Sequence, residues 1–404
     1  MKHLVIIGMV VPEPASTAAG HRMMQLIDVF QAMGYHISFL TSSNQTAFSE
    51  SIEVNSIELN DSSFEEILRN LNPDIVLFDR YITEEQFGWR VSNSCPKALK
   101  LLDTEDLHFL RKAREKAFKE KRLFEHADLY NEVFKREISA ILRCDLSLII
   151  SKYEYELLVK EFKIDESLLF YLPFLNKEVL KDSPKFKNRA HFISIGNFLH
   201  DPNWQTVLQL KKIWKDIKKR LPEAEIHIYG GYAQQKVYQL HDEKSGFLIK
   251  GRAESVKQVF NKSRILLAPI PFGAGLKGKL WESMLYGLPN ITTSIGAEAM
   301  YDDVEDWNGY IEDDLSFFVE KAVELYQNED QWLEFQEKGY DLAQKQFSYD
   351  LFFNHFRTRI AALSSSLESH RQQNYLGQIL QQNQFNATKY MSKWIEEKNK
   401  KGTS

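Results

Sequence analysis

The stretch Leu266-Leu267-Ala268-Pro269-Ile270-Pro271-Phe272-Gly273-Ala274-Gly275-Leu276-Lys277-Gly278-Lys279-Leu280-Trp281-Glu282-Ser283-Met284-Leu285-Tyr286-Gly287-Leu288-Pro289 decides how this chain is read. An apolar, strand-like run empties into a glycine-rich loop, the loop delivers two lysines, and a helical segment carrying one carboxylate follows. That order builds an anion site. Backbone N–H groups of the turn and the positive end of the helix favour phosphate, and Lys277 and Lys279 add whole charges there. Glu282, one turn into the helix, is placed to accept hydrogen bonds from a ribose diol. Phosphate donors beside a diol acceptor point to a nucleoside diphosphate. The plainer alternative is a solvated loop ahead of a core helix, because a glycine-rich loop alone is a weak motif.

Outward from this stretch, short apolar runs alternate with amphipathic helical stretches, the pattern of parallel sheets covered by helices. In the first half the strand candidates are Leu4 to Gly8, His36 to Thr41, Asp74 to Phe78, Ala98 to Leu102 and Leu146 to Ile150. A helix around Arg22 to Met33 is ended by Gly34. The charged stretch Arg111 to Arg122 reads as a helix on the surface. After a polar, Lys-rich linker, Lys177 to Arg189, a second set begins with His191 to Ile195, Glu225 to Tyr229, Phe247 to Lys250 and Ile265 to Pro269. Between the first two, Trp204 to Leu221 repeats apolar residues every three or four positions until Pro222 stops the helix. Two doubly wound halves follow, with the ligand cleft expected beyond the carboxyl ends of their strands.

Composition fits a soluble two-domain enzyme: 404 residues, 43% apolar and 26% charged. A net charge of -5 argues against general nucleic-acid binding. Cys95 and Cys144 are too few for a disulfide framework and have no metal-ligand spacing, so a reducing compartment is expected. The amino terminus offers only four apolar residues, Leu4 to Ile7, before Gly8, far short of a signal segment or membrane span. The expected location is the cytoplasm.

The Leu266–Pro289 stretch and its sequel Gly287-Leu288-Pro289-Asn290-Ile291-Thr292-Thr293-Ser294-Ile295-Gly296-Ala297-Glu298 resemble the donor-binding signature of GT-B glycosyltransferases of family 4, the group 1 type. Further segments resemble the same group in the same order: Pro12 to Arg22, Asp79-Arg80 with Gln86-Phe87-Gly88-Trp89, Asp103 to Arg111, and Ser194-Ile195-Gly196-Asn197-Phe198. The resemblance covers about residues 1 to 360. It implies two Rossmann-like domains facing across a cleft: 1–180 on the acceptor side, 181–345 for the donor, a helix at 346–362 crossing back, and an extension at 363–404. From Trp307 to Ile360 the chain reads helical. The extension, rich in Ser, Gln and Asn, is expected to be weakly ordered, with a helix at Ala387 to Glu397 presenting Tyr390, Met391, Trp394 and Ile395 to a protein partner or a membrane surface.

The resemblance also implies a function, transfer of a sugar from a UDP-, GDP- or dTDP-sugar to a glycan, lipid-linked or small-molecule acceptor. No cofactor and no metal are expected, since the lysines supply the charge. Donor-binding candidates are Gly20, Gly196, Asn197, Arg252, Gly275, Lys277, Lys279 and Glu282, with Arg22 as a phosphate or acceptor candidate. Asp103-Thr104-Glu105-Asp106-Leu107-His108 concentrates titratable groups at a strand end, and His108, oriented by Asp106 or Asp103, is the catalytic candidate. A helix start capped by Asp103, Thr104 and Asp106 is the plainer reading of that cluster. One departure stands out: the family's acidic pair has two glutamates separated by seven residues, and counting back from Glu282 reaches Ala274. This leaves the stereochemical outcome open. Two other readings stay in view, a sugar-nucleotide epimerase, against which the missing glutamate counts, and a catalytically silent nucleotide-sugar-binding member.

Overall fold

The computed structural model describes residues 2–13, 17–43 and 52–402; Pro14 to Ser16, within the Pro12 to Arg22 segment, lie outside the described residues. The first sheet is built from β1 (Lys2–Gly8), β2 (Tyr35–Thr41), β3 (Glu53–Ser56), β4 (Ile75–Asp79), β5 (Leu99–Asp103), β6 (Leu146–Ile149) and β7 (Leu169–Tyr171). Its helices are α1 (Ala18–Ala32), α2 (Ser63–Leu71), α3 (Arg80–Ser94), α4 (His108–Lys119), α5 (Glu132–Arg143) and α6 (Lys152–Lys160). The strands run parallel in the order β3-β2-β1-β4-β5-β6-β7. Because strand side chains alternate, Leu4 and Ile6 of β1 enter one core while Val5 and Ile7 enter the other. Both faces are covered, which is why β1 reads as a continuous apolar run.

The second sheet repeats the plan with β8 (Ala190–Ile195), β9 (Ile226–Tyr229), β10 (Phe247–Gly251), β11 (Ser263–Ala268), β12 (Asn290–Thr292) and β13 (Gly309–Ile311), all parallel in the order β10-β9-β8-β11-β12-β13. Around it lie α7 (Asp201–Arg220), α8 (Gln235–Tyr238), α9 (Val256–Lys262), α10 (Gly278–Leu285), α11 (Ser294–Ala297), α12 (Leu315–Gln327) and α13 (Glu329–Phe347). Strand order reverses between β1 and β4 in the first sheet and between β8 and β11 in the second, so each half has one switch point where a ligand crevice opens.

Three helices follow: α14 (Tyr349–Ser365), α15 (Leu367–Gln373) and α16 (Tyr375–Gly402). α14 returns to the first sheet, where Phe356, Ile360 and Leu363 join the core of Leu4, Ile6 and Phe30. Two expectations are corrected here. Within Trp307 to Ile360, Gly309–Ile311 is a strand paired with β12, too short to leave an apolar signature. The extension is helical and docked rather than weakly ordered, because its polar side chains find partners on the first domain: Arg371 pairs with Asp145 at 2.7 Å, Asn374 donates to the Leu142 carbonyl at 2.7 Å and Gln381 to the Arg143 carbonyl at 2.9 Å.

Phe356 anchors the return helix, fully buried with its ring edge-on to Phe30 at 5.6 Å and 5.2 Å from Phe170. Phe356→Ala is expected to destabilise the protein by about 3–5 kcal/mol, the usual cost of emptying an aromatic core site, read as a lowered midpoint in chemical denaturation.

Candidate functional site

The glycine-rich loop leaves β11 at the second switch point and turns into α10, whose Leu280, Trp281 and Met284 are buried in the core below. Lys277 is the N-cap residue, and its carbonyl accepts from Leu280 N–H at 2.8 Å. The first amides of the helix have no intrahelical acceptor and open, with Gly278 and Lys279, onto a cleft. Lys277 curls back so that Nζ donates to the Gly275 carbonyl at 2.7 Å, and Lys279 Nζ donates to Asn203 Oδ1 at 2.7 Å. Glu282 lines the same wall. Burial pulls the Lys279 ammonium down to about 8, with Glu282 opposing, and pushes the Glu282 carboxyl up to about 7, with Lys279 opposing. Lys277 is lowered as well, by burial against the pull of Glu298.

The first domain grips this loop from two sides. Glu154 of α6, fully buried, accepts through Oε1 from Gly275 N–H at 2.8 Å and from Leu107 N–H at 3.0 Å. Arg114 of α4 donates to the Gly273 carbonyl at 2.9 Å and forms a two-armed ion pair with Glu298 at 2.9 and 2.6 Å. Gly275 needs its φ of +62°, and a Cβ there would stand 2.9 Å from the Asp106 Cβ. Burial and then Asp106 raise the Glu154 carboxyl to about 8, although the two amides and Lys277 favour its charged form.

A second cavity opens on the first-domain side and shares Thr17, Ala18, His200, Ala274 and Leu276 with the first. His108 and Asp106 line it. His108 Nδ1 lies 3.0 Å from Glu137 Oε1 and 3.5 Å from Asp106 Oδ1, while Nε2 has no hydrogen-bond partner among the described residues. Burial lowers the imidazole pKa, but the Asp106 charge and the Glu137 hydrogen bond outweigh it and the net shift is upward. Asp106 itself is held well below the usual carboxylate range: burial opposes this, and Arg111, paired with it at 2.6 Å, and His108 overcome it. Arg80 and Glu105, with φ of +69° and +63°, also line this cavity; two non-glycine residues in the left-handed region mark backbone held in place by its surroundings.

The sequence candidates distribute as follows. Gly196, Arg252, Lys277, Lys279 and Glu282 line the first cavity, and Asn197, Gly275, Asp106 and His108 the second. Gly20 lines neither. Its amide donates to Thr17 Oγ1 at 2.9 Å, and a Cβ would fall 2.5 Å from the Glu13 backbone, so close chain packing requires the glycine; Thr17 and Ala18 face the cleft instead. Arg22 is withdrawn from the cleft, buried at 1% exposure and bound to Asp103 at 2.9 Å and to the Leu172 carbonyl at 2.7 Å. Asp103 is thereby committed to Arg22, and the partner of His108 beside Asp106 is Glu137. The start of α4 is capped neither by Asp103 nor by Thr104 or Asp106, but by the distant carboxylates Glu137, on Phe109 N–H at 3.0 Å, and Glu154. The Arg111 to Arg122 stretch is not confined to the surface either, since Ala113, Arg114 and Ala117 of α4 are buried.

Sequence reasoning passed over Glu137, Glu154, Asn203, His200, Arg114 and Glu298. Each lies on an ordinary-looking helix or turn far along the chain from its partner, so no local spacing marks it. Among the described residues, no group of three His, Cys, Asp or Glu is arranged to hold a metal, and no helix is long and apolar enough to cross a membrane.

Comparison with known proteins bears on this geometry. Residues 189–328 match the family described as Glycosyl transferases group 1, and no curated protein sequence matches the chain. Sucrose-phosphate synthase from Thermosynechococcus elongatus is similar at 12% identity and TM-score 0.68, over 91% of this chain and 100% of its own. The pneumococcal O-GlcNAc transferase GtfA, in complex with UDP and GlcNAc, is similar at 12% identity and TM-score 0.67, over 90% of this chain and 99% of its own. A variant of S. aureus TarM, in complex with Fondaparinux, alpha-GlcNAc-glycerol and UDP, is similar at 14% identity and TM-score 0.57 over 74% of this chain, which spans 58% of that protein. At these identities the likeness is one of fold. The chain therefore has the GT-B fold, and residues 189–328 of its second half match the Glycosyl transferases group 1 model.

Proposed function

We propose that this protein transfers a sugar from a nucleoside-diphosphate sugar to a hydroxyl of a carbohydrate or lipid-linked acceptor, with residues 1–180 holding the acceptor and 181–345 the donor. The observation that carries the reading is the junction of the two cavities. A phosphate-type wall of helix amides, Lys277, Lys279 and Glu282 meets a first-domain pocket containing His108 through shared residues. The diphosphate lies at the α10 N-terminus, Glu282 takes the ribose diol, and Gly196 and Arg252 border the nucleotide. UDP is the first nucleotide to test, because two of the similar structures are described with it.

In the reaction the acceptor oxygen bonds to the anomeric carbon as the bond from that carbon to the diphosphate breaks. The electron pair leaves on the diphosphate, where the two lysines and the helix amides stabilise it, so the reading assigns no charge-neutralising role to a metal. His108 Nε2 receives the acceptor proton, and Glu137 and Asp106 steady the resulting imidazolium. With Ala274 in place of a glutamate, charge stabilisation of the leaving group carries most of the catalysis.

Lys277→Ala is expected to weaken UDP binding by about 1.5–3 kcal/mol and uridine binding hardly at all, measured by calorimetry. Equal losses for the two ligands would place Lys277 outside the phosphate site and remove the main support for the donor reading.

Affinity for UDP should be greatest between about pH 7 and pH 8. The Glu282 carboxylate, raised to about 7, is lost as pH falls through that value, and the Lys279 ammonium, lowered to about 8, is lost as pH rises through it. Glu282→Gln should flatten the acid limb and Lys279→Met the alkaline limb, and comparison with the unmodified protein cancels the titration of UDP itself.

His108→Ala should reduce turnover roughly a hundredfold to ten-thousandfold with UDP-sugar affinity nearly unchanged. Unchanged turnover, in a variant with normal melting behaviour, would exclude the imidazole from the reaction.

A further inference from the structure

α16 meets the first domain through its small and polar residues. Gly377 lies so close to the Leu142 carbonyl that a Cβ would stand 2.1 Å from it, Gln381 donates to the Arg143 carbonyl, and Ser392 accepts from Arg90 at 2.9 Å and donates to Asn60 at 3.0 Å. The opposite face is apolar and in solvent. Tyr375, Leu376, Ile379, Tyr390, Met391 and Trp394 are 64, 50, 52, 65, 58 and 60% exposed. At 3.6 residues per turn these six fall within an arc of about 160°, in two groups, Tyr375 to Ile379 and Tyr390 to Trp394, about 16 Å apart along the axis. A helix recruited to complete a core would turn this stripe inward; here it is turned outward.

Charge distinguishes what such a stripe fits. Lys389 lies about 40° outside one edge of the arc, Lys393 at that edge and Lys398 within it near the other, its Nζ 5.3 Å from the Trp394 ring, while Glu397 also falls within it. Residues 375–404 hold five lysines against two glutamates in a chain of net charge -5, so positive charge is gathered where the apolar stripe is. Protein interfaces are depleted in lysine. Aromatic and aliphatic side chains fringed by lysines instead match a bilayer surface, with rings entering the headgroup boundary and ammonium groups reaching lipid phosphates.

We propose that the outward face of α16 docks this protein onto an anionic lipid surface. The proposal rests on the helix and its charge, and stands independently of the transferase reading.

The test uses the full chain with vesicles of phosphatidylcholine alone or containing about one-third phosphatidylglycerol. Sedimentation should show binding at least about tenfold tighter to the anionic vesicles, weakened by salt. Trp394 should shift its emission to the blue and lose access to acrylamide on binding. That signal is assigned by difference from the Trp394→Ser variant: Trp89, Trp214, Trp281, Trp307 and Trp332 are at most 4% exposed, and the partly exposed Trp204 lies on α7 of the second half and is kept in that variant. A Tyr390→Ser, Met391→Ser, Trp394→Ser variant should bind at least about tenfold more weakly. A Lys389→Glu, Lys393→Glu, Lys398→Glu variant should lose the preference for anionic vesicles. Both should keep the parent's circular dichroism, melting temperature and UDP affinity. Absence of vesicle binding, equal binding to both compositions, or variants that bind like the parent would overturn the proposal. So would a concentration-dependent dimer that the serine variant abolishes, which would assign the face to a second copy of the chain.

Discussion

Glu154 Oε1 accepts two amides that belong to different domains, Leu107 at the start of α4 and Gly275 in the donor loop. A carboxylate oxygen with no solvent contact can hold two donors at 2.8–3.0 Å only if both stay in place, so this one atom ties the position of the loop to that of His108. Arg114 repeats the tie on the other side of the loop through Gly273 and Glu298. The left-handed turn at Gly275 follows from the approach: any side chain there would meet Asp106. Cleft geometry thus depends on contacts between the domains as much as on either sheet.

The same closeness sets the electrostatics. Lysines are drawn into a partly dry wall and lose basicity, while carboxyl groups there gain protons, so Lys279 and Glu282 sit near neutrality on opposite sides of it. A diphosphate and a diol would restore to each the charged form it holds in water. The cavity on the first-domain side is built differently, from ion pairs already made: Asp106 with Arg111, and His108 with Glu137. Lys279 and Glu282 are thus held away from their usual charge states, whereas Asp106 and His108 are already paired within the protein.

Much of this was legible along the chain because the signals are local. A buried parallel strand must be an apolar run, as in Leu4 to Ile7, and a phosphate loop must bring small residues to a helix start, as in Gly273 to Lys279. Short strands such as Glu53–Ser56 and Gly309–Ile311 left no such run, since an edge position or three residues of pairing ask for none. The docking of the extension was hidden for a similar reason: its Arg, Asn and Gln side chains read as solvated until Asp145 and the α5 carbonyls are placed opposite them.

The sequence by itself determined the two doubly wound halves and the order of strand, glycine-rich loop and helix that sets Lys277, Lys279 and Glu282 on one cleft wall, because periodicity and spacing within about thirty residues specify them. Only the tertiary structure decided that Arg22 and Asp103 serve each other in the core, that Glu137 rather than Asp103 faces His108, and that Glu154 and Arg114 hold the donor loop. The physical reason is distance along the chain. A hydrogen bond acts over three ångströms of space, and Glu154 reaches Gly275 across 121 positions of sequence that carry no trace of the contact.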